Sequence, residues 1–338
     1  MQIYQITSVY ALCGVLFEYP TGVIADYFSP RTSVFLGYLL AAIVIFLMGL
    51  SLNFVLYLLL MVLYAVSVAL MSGSDTVLIS SVSNNFKSDF SKINYISQIW
   101  SVVAISLGSL IAKYSFSLTF YLSAVFYFFG AILVFMMSRN LYKKGEGNIF
   151  IKAKEGLFYV LKTKELILIT IIGLVSGGFF ISFKWLYNPL LETLKFDLAI
   201  WGVIIALASA FIALGMMLYP KMSKLGYVVP LTICTLAILL TGVTSYWFVA
   251  LLGLFVLHYF SGYLQTHTDY LINENTPKGY QASSLSFKNM VVRLFSAGYI
   301  FIAGYILSDS TFSNLMYSTA IIFIGLLIIL VFGRKILK

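Results

Sequence analysis

The stretch Glu18-Tyr-Pro-Thr-Gly-Val-Ile-Ala-Asp26 ends one apolar run of the sequence, and a short polar turn with Arg31 separates it from the next. Glu18, Gly22 and Asp26 are four residues apart, so they share one face of a helix. A carboxylate inside an apolar run is costly in hydrocarbon, which makes Glu18 a candidate functional residue. Gly22 allows a neighbouring helix to approach closely.

The composition is that of a membrane protein. Of the 338 residues, 61% are hydrophobic and 10% are charged, whereas soluble domains carry about 25% charged residues. The apolar runs do not alternate and are about 20 residues long, which predicts membrane-spanning helices. Cys13 and Cys234 both lie in apolar runs, so no disulfide framework is indicated.

We therefore predict an all-α membrane protein with eleven spanning helices. The longest polar interruption, residues 139–164, separates an N-terminal half (1–138, five helices) from a C-terminal half (165–338, six helices). Lysines and apolar residues interleave in this linker, which predicts a basic amphipathic helix on the cytoplasmic leaflet, with a solvated linker as the alternative. The predicted spans are about 3–25, 33–51, 53–80, 93–113, 116–138, 165–190, 199–219, 227–244, 246–268, 286–308 and 313–333.

Positive charge is distributed unevenly between the two sides of these spans. Of the 21 lysines and arginines, 17 fall in segments on the side of the Arg31 turn, and only Lys113 and Lys195 fall in loops on the other side. Cytoplasmic loops carry an excess of lysine and arginine. The turn and the C-terminus are therefore predicted to be cytoplasmic, and the net charge of +9 needs no nucleic-acid partner.

The opening stretch resembles the second helix and following loop of the major facilitator superfamily. The family pattern Gly-x-x-x-Asp-(Arg/Lys)-x-Gly-(Arg/Lys)-(Arg/Lys) is kept at Gly22, Asp26 and Arg31, and the chain departs from it at three positions between Asp26 and Arg31. The resemblance covers the whole chain as family helices two to twelve. It implies a major-facilitator-type bundle whose two halves are related by an axis along the membrane normal.

The family's first helix has no counterpart in this sequence, because only Met1 and Gln2 precede the first apolar run. We expect either a start further upstream or a truncated gene. A truncated chain would lose the packing partner of its N-terminal half and would transport poorly.

Polar residues within the spans supply candidates for a substrate and proton cavity. Asp75, in a Ser-Gly-Ser-Asp segment similar to one in efflux members of the family, is either a cavity acid or a residue at the cytoplasmic rim. Lys184 either extends to the headgroups or places a cation in the cavity. His258 is either a packing residue or a proton shuttle. The candidate cavity residues are Glu18, Asp75, Lys184, Trp185, Asn188 and His258.

The resemblance also implies a conformational latch made by Gly22, Asp26, Arg31, Asp269 and Arg293. In the family, the loop aspartate meets helix eleven and holds the outward-facing state. Arg293 lies about two turns inside helix eleven of this chain, where we expect it to pair with Asp26 or Asp269.

The sequence contains no nucleotide-binding loop, metal-ligand cluster or nucleophile elbow, so neither an enzyme nor a cofactor is predicted. The predicted function is secondary transport by alternating access, with protonation of Glu18 or Asp75 coupling a proton gradient to export of small amphipathic or drug-like compounds. A nutrient importer of the same fold and a truncated, inactive transporter are the alternatives. We expect a monomer in a bilayer, in a bacterial cytoplasmic membrane, with a small-molecule substrate and protons as partners.

The charge asymmetry makes the topology testable. A reporter that is active only in the cytoplasm should give signal when fused after Lys338, because that end follows the positively charged side of the last span. A stably expressed but silent fusion would contradict the topology.

Overall fold

The chain is almost entirely helical wherever its structure is described. A computed structural model describes residues 2–50, 53–112, 114–137 and 149–333. Several bases assigned above to the cytoplasmic side, in 138–148 and 334–338, lie outside this part. The described residues form α1 (Gln2–Tyr27), α2 (Pro30–Met48), α3 (Phe54–Met71), α4 (Ser74–Val82), α5 (Phe86–Ala112), α6 (Phe116–Met136), α7 (Ile149–Lys162), α8 (Lys164–Phe183), α9 (Tyr187–Thr193), α10 (Leu198–Met222), α11 (Val228–Gly242), α12 (Trp247–Asn275), α13 (Gln281–Asp309) and α14 (Phe312–Gly333).

Eight helical segments among the described residues are long and apolar enough to cross a membrane. Two of them are interrupted: Phe54–Val82 comprises α3 and α4, and Lys164–Thr193 comprises α8, a 3-10 turn and α9. The all-α membrane fold is therefore confirmed, while the number of eleven spans stays a prediction. The linker contains a helix, α7, at the position where an amphipathic helix was predicted.

Local sequence explains where several helices begin and end. The Ser29 hydroxyl accepts a hydrogen bond from the Thr32 amide (3.3 Å) and caps α2, and Pro30 occupies the first turn, where its missing N–H costs nothing. Ser29 and Pro30 are two of the three positions at which the chain departs from the family loop pattern, and together they start α2. Gly73 separates α3 from α4 with a φ of +73°, a conformation that a residue with a Cβ rarely adopts.

The chain forms two compact units. Unit 1 comprises Met1–Phe86, Val103–Thr163 and Ile272–Arg293, and unit 2 comprises Lys87–Val102, Lys164–Leu271 and Leu294–Lys338. The first part of α13 thus belongs to unit 1 and the remainder to unit 2. α5 is divided in the opposite order, with Lys87–Val102 in unit 2 and the part from Val103 in unit 1. The division at the linker that we inferred from the sequence stays a prediction.

Within unit 1, α2 packs along α3 and α6, and α1 packs along α3. Ala41, Ile45 and Ala124 are buried together where α2 meets α6. Small residues at such contacts bring helix backbones close. In a membrane, the resulting van der Waals packing drives helix association, because the hydrophobic effect does not. Tyr64 and Tyr127 cover this cluster, with their hydroxyls 3.5 Å apart.

Within unit 2, α10 and α12 approach until their backbones touch. A Cβ at Gly215 would overlap the carbonyl oxygen of Tyr259, and a Cβ at Gly262 would overlap that of Ile212. Each helix contributes one glycine to the other, so the approach depends on both.

Gly215→Ala should therefore destabilise unit 2 by about 1–3 kcal/mol, because the added methyl group overpacks a contact made by backbone. Gly202→Ala, in the same helix, is the matched control: no atom lies within 4 Å of its added Cβ. Thermal unfolding in detergent should show a lower melting temperature for Gly215→Ala only. Equal melting temperatures for the two variants would contradict this account of the α10–α12 contact.

Candidate functional site

The polar face of α1 lies directly against the N-terminal part of α13. A Cβ at Gly22 would come within 2.6 Å of the Ser286 Cβ and 2.9 Å of the Ala282 carbonyl oxygen. A Cβ at Gly14 would lie 3.1 Å from a terminal nitrogen of Arg293. Glycine at Gly22 is required for this approach, and glycine at Gly14 leaves room for the arginine.

Glu18 and Arg293 form an ion pair inside this contact. Glu18 Oε2 lies 3.3 Å from Arg293 Nε; the Glu18 side chain is fully buried, and that of Arg293 is 27% exposed. Lys288, itself buried, adds a second positive charge that acts on Glu18. A buried carboxylate carries a large desolvation cost, and these cations offset it.

The break between α3 and α4 completes the surroundings of the pair. Asn289 Nδ2 donates a hydrogen bond to Ser72 Oγ (2.7 Å), and Ser286 Oγ donates to the Ser72 carbonyl oxygen (3.3 Å). Thr21 Oγ1 donates to the Ala69 carbonyl oxygen (2.9 Å) and so ties α1 to the end of α3. Three polypeptide segments therefore meet around Glu18.

Asp26 binds the N-terminus of α13. Its carboxylate accepts hydrogen bonds from the Ala282 amide (3.1 Å), the Ser283 amide (2.7 Å) and the Ser283 hydroxyl (2.5 Å). The first amides of a helix have no partner within the helix, and the helix dipole favours negative charge there. Asp26, which is fully buried, thus caps a helix remote from it in sequence. We call this contact the Asp26 clasp.

The residue just before α13 is held by α7. Tyr280 Oη donates a hydrogen bond to Glu155 Oε2 (2.9 Å), and this bond raises the pKa of the Tyr280 phenol above its usual range. A Cβ at Gly156 would lie 3.2 Å from the Tyr280 ring, so α7 also packs closely there.

The predicted pairing of Arg293 with Asp26 needs correction. Arg293 pairs with Glu18, whereas Asp26 binds Ser283, ten residues earlier on α13 and therefore about 15 Å away along the helix. A pairing of Arg293 with Asp269 stays a prediction. Sequence reasoning singled out both Glu18 and Arg293 but did not pair them.

Arg31 binds the end of a helix rather than α13. Its Nε donates to the Val134 carbonyl oxygen (3.1 Å), its Nη2 donates to that of Phe135, and the guanidinium lies 5.8 Å from the centre of the Phe135 ring. These carbonyls belong to the last turn of α6, where the helix dipole favours a cation and lysine or arginine side chains can bind the last carbonyls. A role for Arg31 in a latch stays a prediction.

Asp75 lies in the first turn of α4 and is exposed. Its Oδ1 accepts a hydrogen bond from the Thr76 amide (2.6 Å). It opens onto a cavity of about 410 Å³. The other residues that line this cavity are Val34, Tyr38, Met71, Phe126 and Tyr127. Asp75 therefore lies at a largely aromatic cavity wall, and its surroundings differ from those of the buried Glu18.

Three of the cavity candidates lie in unit 2 at the interruption between α8 and α9. Lys184, Trp185 and Asn188 are all exposed there. Tyr187, in the same segment, points inward and is buried.

His258 is a fully bonded, buried side chain. Its Nδ1 lies 2.8 Å from the Leu254 carbonyl oxygen, which can only accept, so Nδ1 carries the hydrogen. Its Nε2 therefore accepts a hydrogen bond from the Tyr187 hydroxyl (2.5 Å). Both ring nitrogens are satisfied, which favours the packing interpretation of His258 over a proton shuttle.

Comparisons with known proteins agree with this architecture. The family model of the Major Facilitator Superfamily matches residues 1–298. The chain belongs to that superfamily. No curated protein sequence matches it.

Solved structures that share the fold include those of two transporters. The human organic anion transporter MFSD10 (TETRAN) has a TM-score of 0.80 at 14% identity, covering 96% of this chain and 82% of that protein. The Escherichia coli fucose:proton symporter FucP has a TM-score of 0.75 at 12% identity, covering 100% of this chain and 91% of that protein. The family and these neighbours point to a transporter rather than an enzyme.

Asp26→Asn should destabilise unit 1 by about 2 kcal/mol. The NH2 group of asparagine would replace one of the two oxygens that accept hydrogen bonds from Ala282 and Ser283, and so face a donor with a donor. Asp75→Asn is the matched control, since it makes the same substitution at an exposed carboxylate. Melting temperatures in detergent should fall for Asp26→Asn and change little for Asp75→Asn. A melting temperature of Asp26→Asn equal to that of the wild type would show that the clasp contributes no stability.

Proposed function

We propose that this protein is a proton-coupled secondary transporter that works by alternating access, with Glu18 as its proton-binding group. The observation that supports it most directly is the fully buried Glu18 carboxylate, 3.3 Å from Arg293. Intramembrane ionisable residues are rare and mark substrate or proton pathways.

Protonation of Glu18 changes the charge balance of the α1–α13 contact. With Glu18 ionised, the carboxylate and guanidinium neutralise one another and hold the two helices together. With Glu18 protonated, the Arg293 charge loses its partner, and an uncompensated charge in a poorly hydrated site is costly. Proton binding therefore favours a state in which α1 and α13 move apart and Arg293 gains water or another anion.

The Asp26 clasp is the second contact that such a movement has to open. Its three hydrogen bonds hold the first turn of α13, and Gly22 provides the close approach beside them. We assign the clasp the role of the latch, which stabilises one conformational state and releases α13 in the other. The Glu18–Arg293 pair and the clasp lie on the same helix face, so one helix movement affects both.

Asp75 is the second candidate for the proton-binding group, and its surroundings favour Glu18. Burial disfavours the charged form of a carboxyl group and makes its protonation sensitive to a partner's position. Glu18 is buried and ion-paired, whereas Asp75 is exposed. Movement of a helix therefore changes the proton affinity of Glu18 more than that of Asp75.

For the substrate we propose small amphipathic compounds and export as the direction, supported by the efflux-like Ser-Gly-Ser-Asp segment that ends at Asp75 and by the aromatic wall of its cavity. Proton-coupled import of a small metabolite is the second candidate. FucP, a fucose:proton symporter, and MFSD10, an organic anion transporter, have the same fold. A growth screen on sole nutrients separates import from export.

The decisive experiment follows a panel of cationic dyes in proteoliposomes under a pH gradient. The complete wild-type protein should move at least one dye in a gradient-dependent way. Glu18→Gln should reduce this movement to that of protein-free vesicles, because the amide binds no proton, while Asp75→Asn should keep the gradient dependence. Gradient-dependent movement by Glu18→Gln would overturn the assignment of Glu18.

A double variant separates coupling from folding. Glu18→Gln alone leaves the Arg293 charge unpaired and should lower stability, whereas Glu18→Gln with Arg293→Gln removes both charges and should recover most of it. The double variant should nevertheless show no gradient-dependent movement. Recovered transport in a protein without either charge would refute the proposed coupling.

A further inference from the structure

The linker helix α7 has two chemically different faces. Gly156 and Val160, one turn apart, are buried on one side. The opposite face, spanning about 100° of the helix, is exposed. It carries Lys154, Phe158, Leu161 and Lys162.

The exposed face combines apolar groups with cations. Phe158 is 46% exposed and Leu161 50% exposed. Lys154 Nζ and Lys162 Nζ lie 5.9 and 5.4 Å from the centre of the Phe158 ring, so the two ammonium groups flank the aromatic ring. Two apolar side chains together with two lysines fit the surface of an anionic membrane, where the acyl chains lie below a layer of negatively charged headgroups.

The exposed face of α7 ends directly before a segment that is long and apolar enough to cross a membrane. Only Thr163 separates the end of α7 at Lys162 from the start of α8 at Lys164, where a membrane span begins. Lys162, at the end of this face, is thus two residues from the start of that segment, and Lys154 lies ten residues before it.

We propose that this face of α7 binds anionic phospholipid. Phe158 and Leu161 insert at the boundary of the acyl chains, and Lys154 and Lys162 contact the phosphates. Attraction to a negatively charged leaflet changes binding by about fivefold for each lysine near the surface.

Two other residues of α7, the exposed Glu155 and the buried Gly156, connect this lipid contact to the α13 terminus. Glu155 accepts the hydrogen bond of Tyr280, and a Cβ at Gly156 would lie 3.6 Å from the Ser283 Cβ. Ser283 in turn binds Asp26. Lipid that fixes α7 therefore stabilises the Asp26 clasp, a consequence that rests on the latch role proposed above.

Amide hydrogen exchange of the full chain tests the proposal without measuring transport, so failure of the proposed function does not affect the result. The protein is compared in vesicles of phosphatidylcholine alone and in vesicles that also contain phosphatidylglycerol. Exchange in residues 154–162 should be several-fold slower with phosphatidylglycerol, and high salt should remove the difference because the attraction is electrostatic. Equal exchange in the two kinds of vesicle would overturn the lipid site.

Matched variants locate the effect on α7. Lys154→Gln with Lys162→Gln should remove most of the lipid-dependent protection, and Lys154→Arg with Lys162→Arg should keep it. Lys221→Gln with Lys224→Gln removes two exposed charges at the end of α10 and should leave the protection unchanged. Equal losses in the two glutamine variants would show that general charge, and not this face, is responsible.

One further variant tests the connection to the clasp. Tyr280→Phe removes the hydrogen bond to Glu155, so α7 should keep its lipid-dependent protection while the amides of Ala282 and Ser283 lose theirs. Unchanged lipid dependence at these amides would overturn the connection and leave the lipid site intact.

Discussion

An ionised carboxylate without access to water needs a counter-charge from the protein, and the ion pair within the contact between α1 and α13 meets this requirement. Glu18 obtains the charge from Arg293, and the guanidinium fits because Gly14 leaves space for it. Gly22 brings the helices close enough for the ion pair to form. An isolated charge in a low-dielectric environment costs several kcal/mol, so any rearrangement of these helices is also a change in the electrostatics of Glu18.

In the Asp26 clasp, backbone amides take the part that the Arg293 guanidinium has for Glu18: they stabilise a buried carboxylate. The first amides of α13 lack partners within their own helix, and a carboxylate from α1 provides them. Ser72, at the break between α3 and α4, binds Ser286 and Asn289 on the next turns of α13. The first turns of α13 are therefore held by polar groups from two other helices, and these contacts give the site a defined geometry.

Much of the fold could be predicted from the sequence, because hydrophobic run length determines which segments span a bilayer. The shared face of Glu18, Gly22 and Asp26 followed from helical periodicity, and the structure places all three against α13. The partner of Arg293 did not follow, since periodicity describes one helix at a time and says nothing about which helices touch. The distance of each residue from its helix end was one usable signal. Glu18 lies about 14 Å before the end of α1, and Arg293 lies about 18 Å after the start of α13, so the two distances are similar.

The Asp26 clasp joins residues that are 257 positions apart in the sequence. At the usual rate of synthesis, about 5–20 residues per second, roughly 13 to 50 seconds pass between the appearance of Asp26 and that of its partner Ser283. During this interval α1 has already left the ribosome, while Glu18 has neither Arg293 nor any other residue of α13 as a neighbour. The nascent chain therefore has to keep Glu18 protonated or hydrated until α13 arrives.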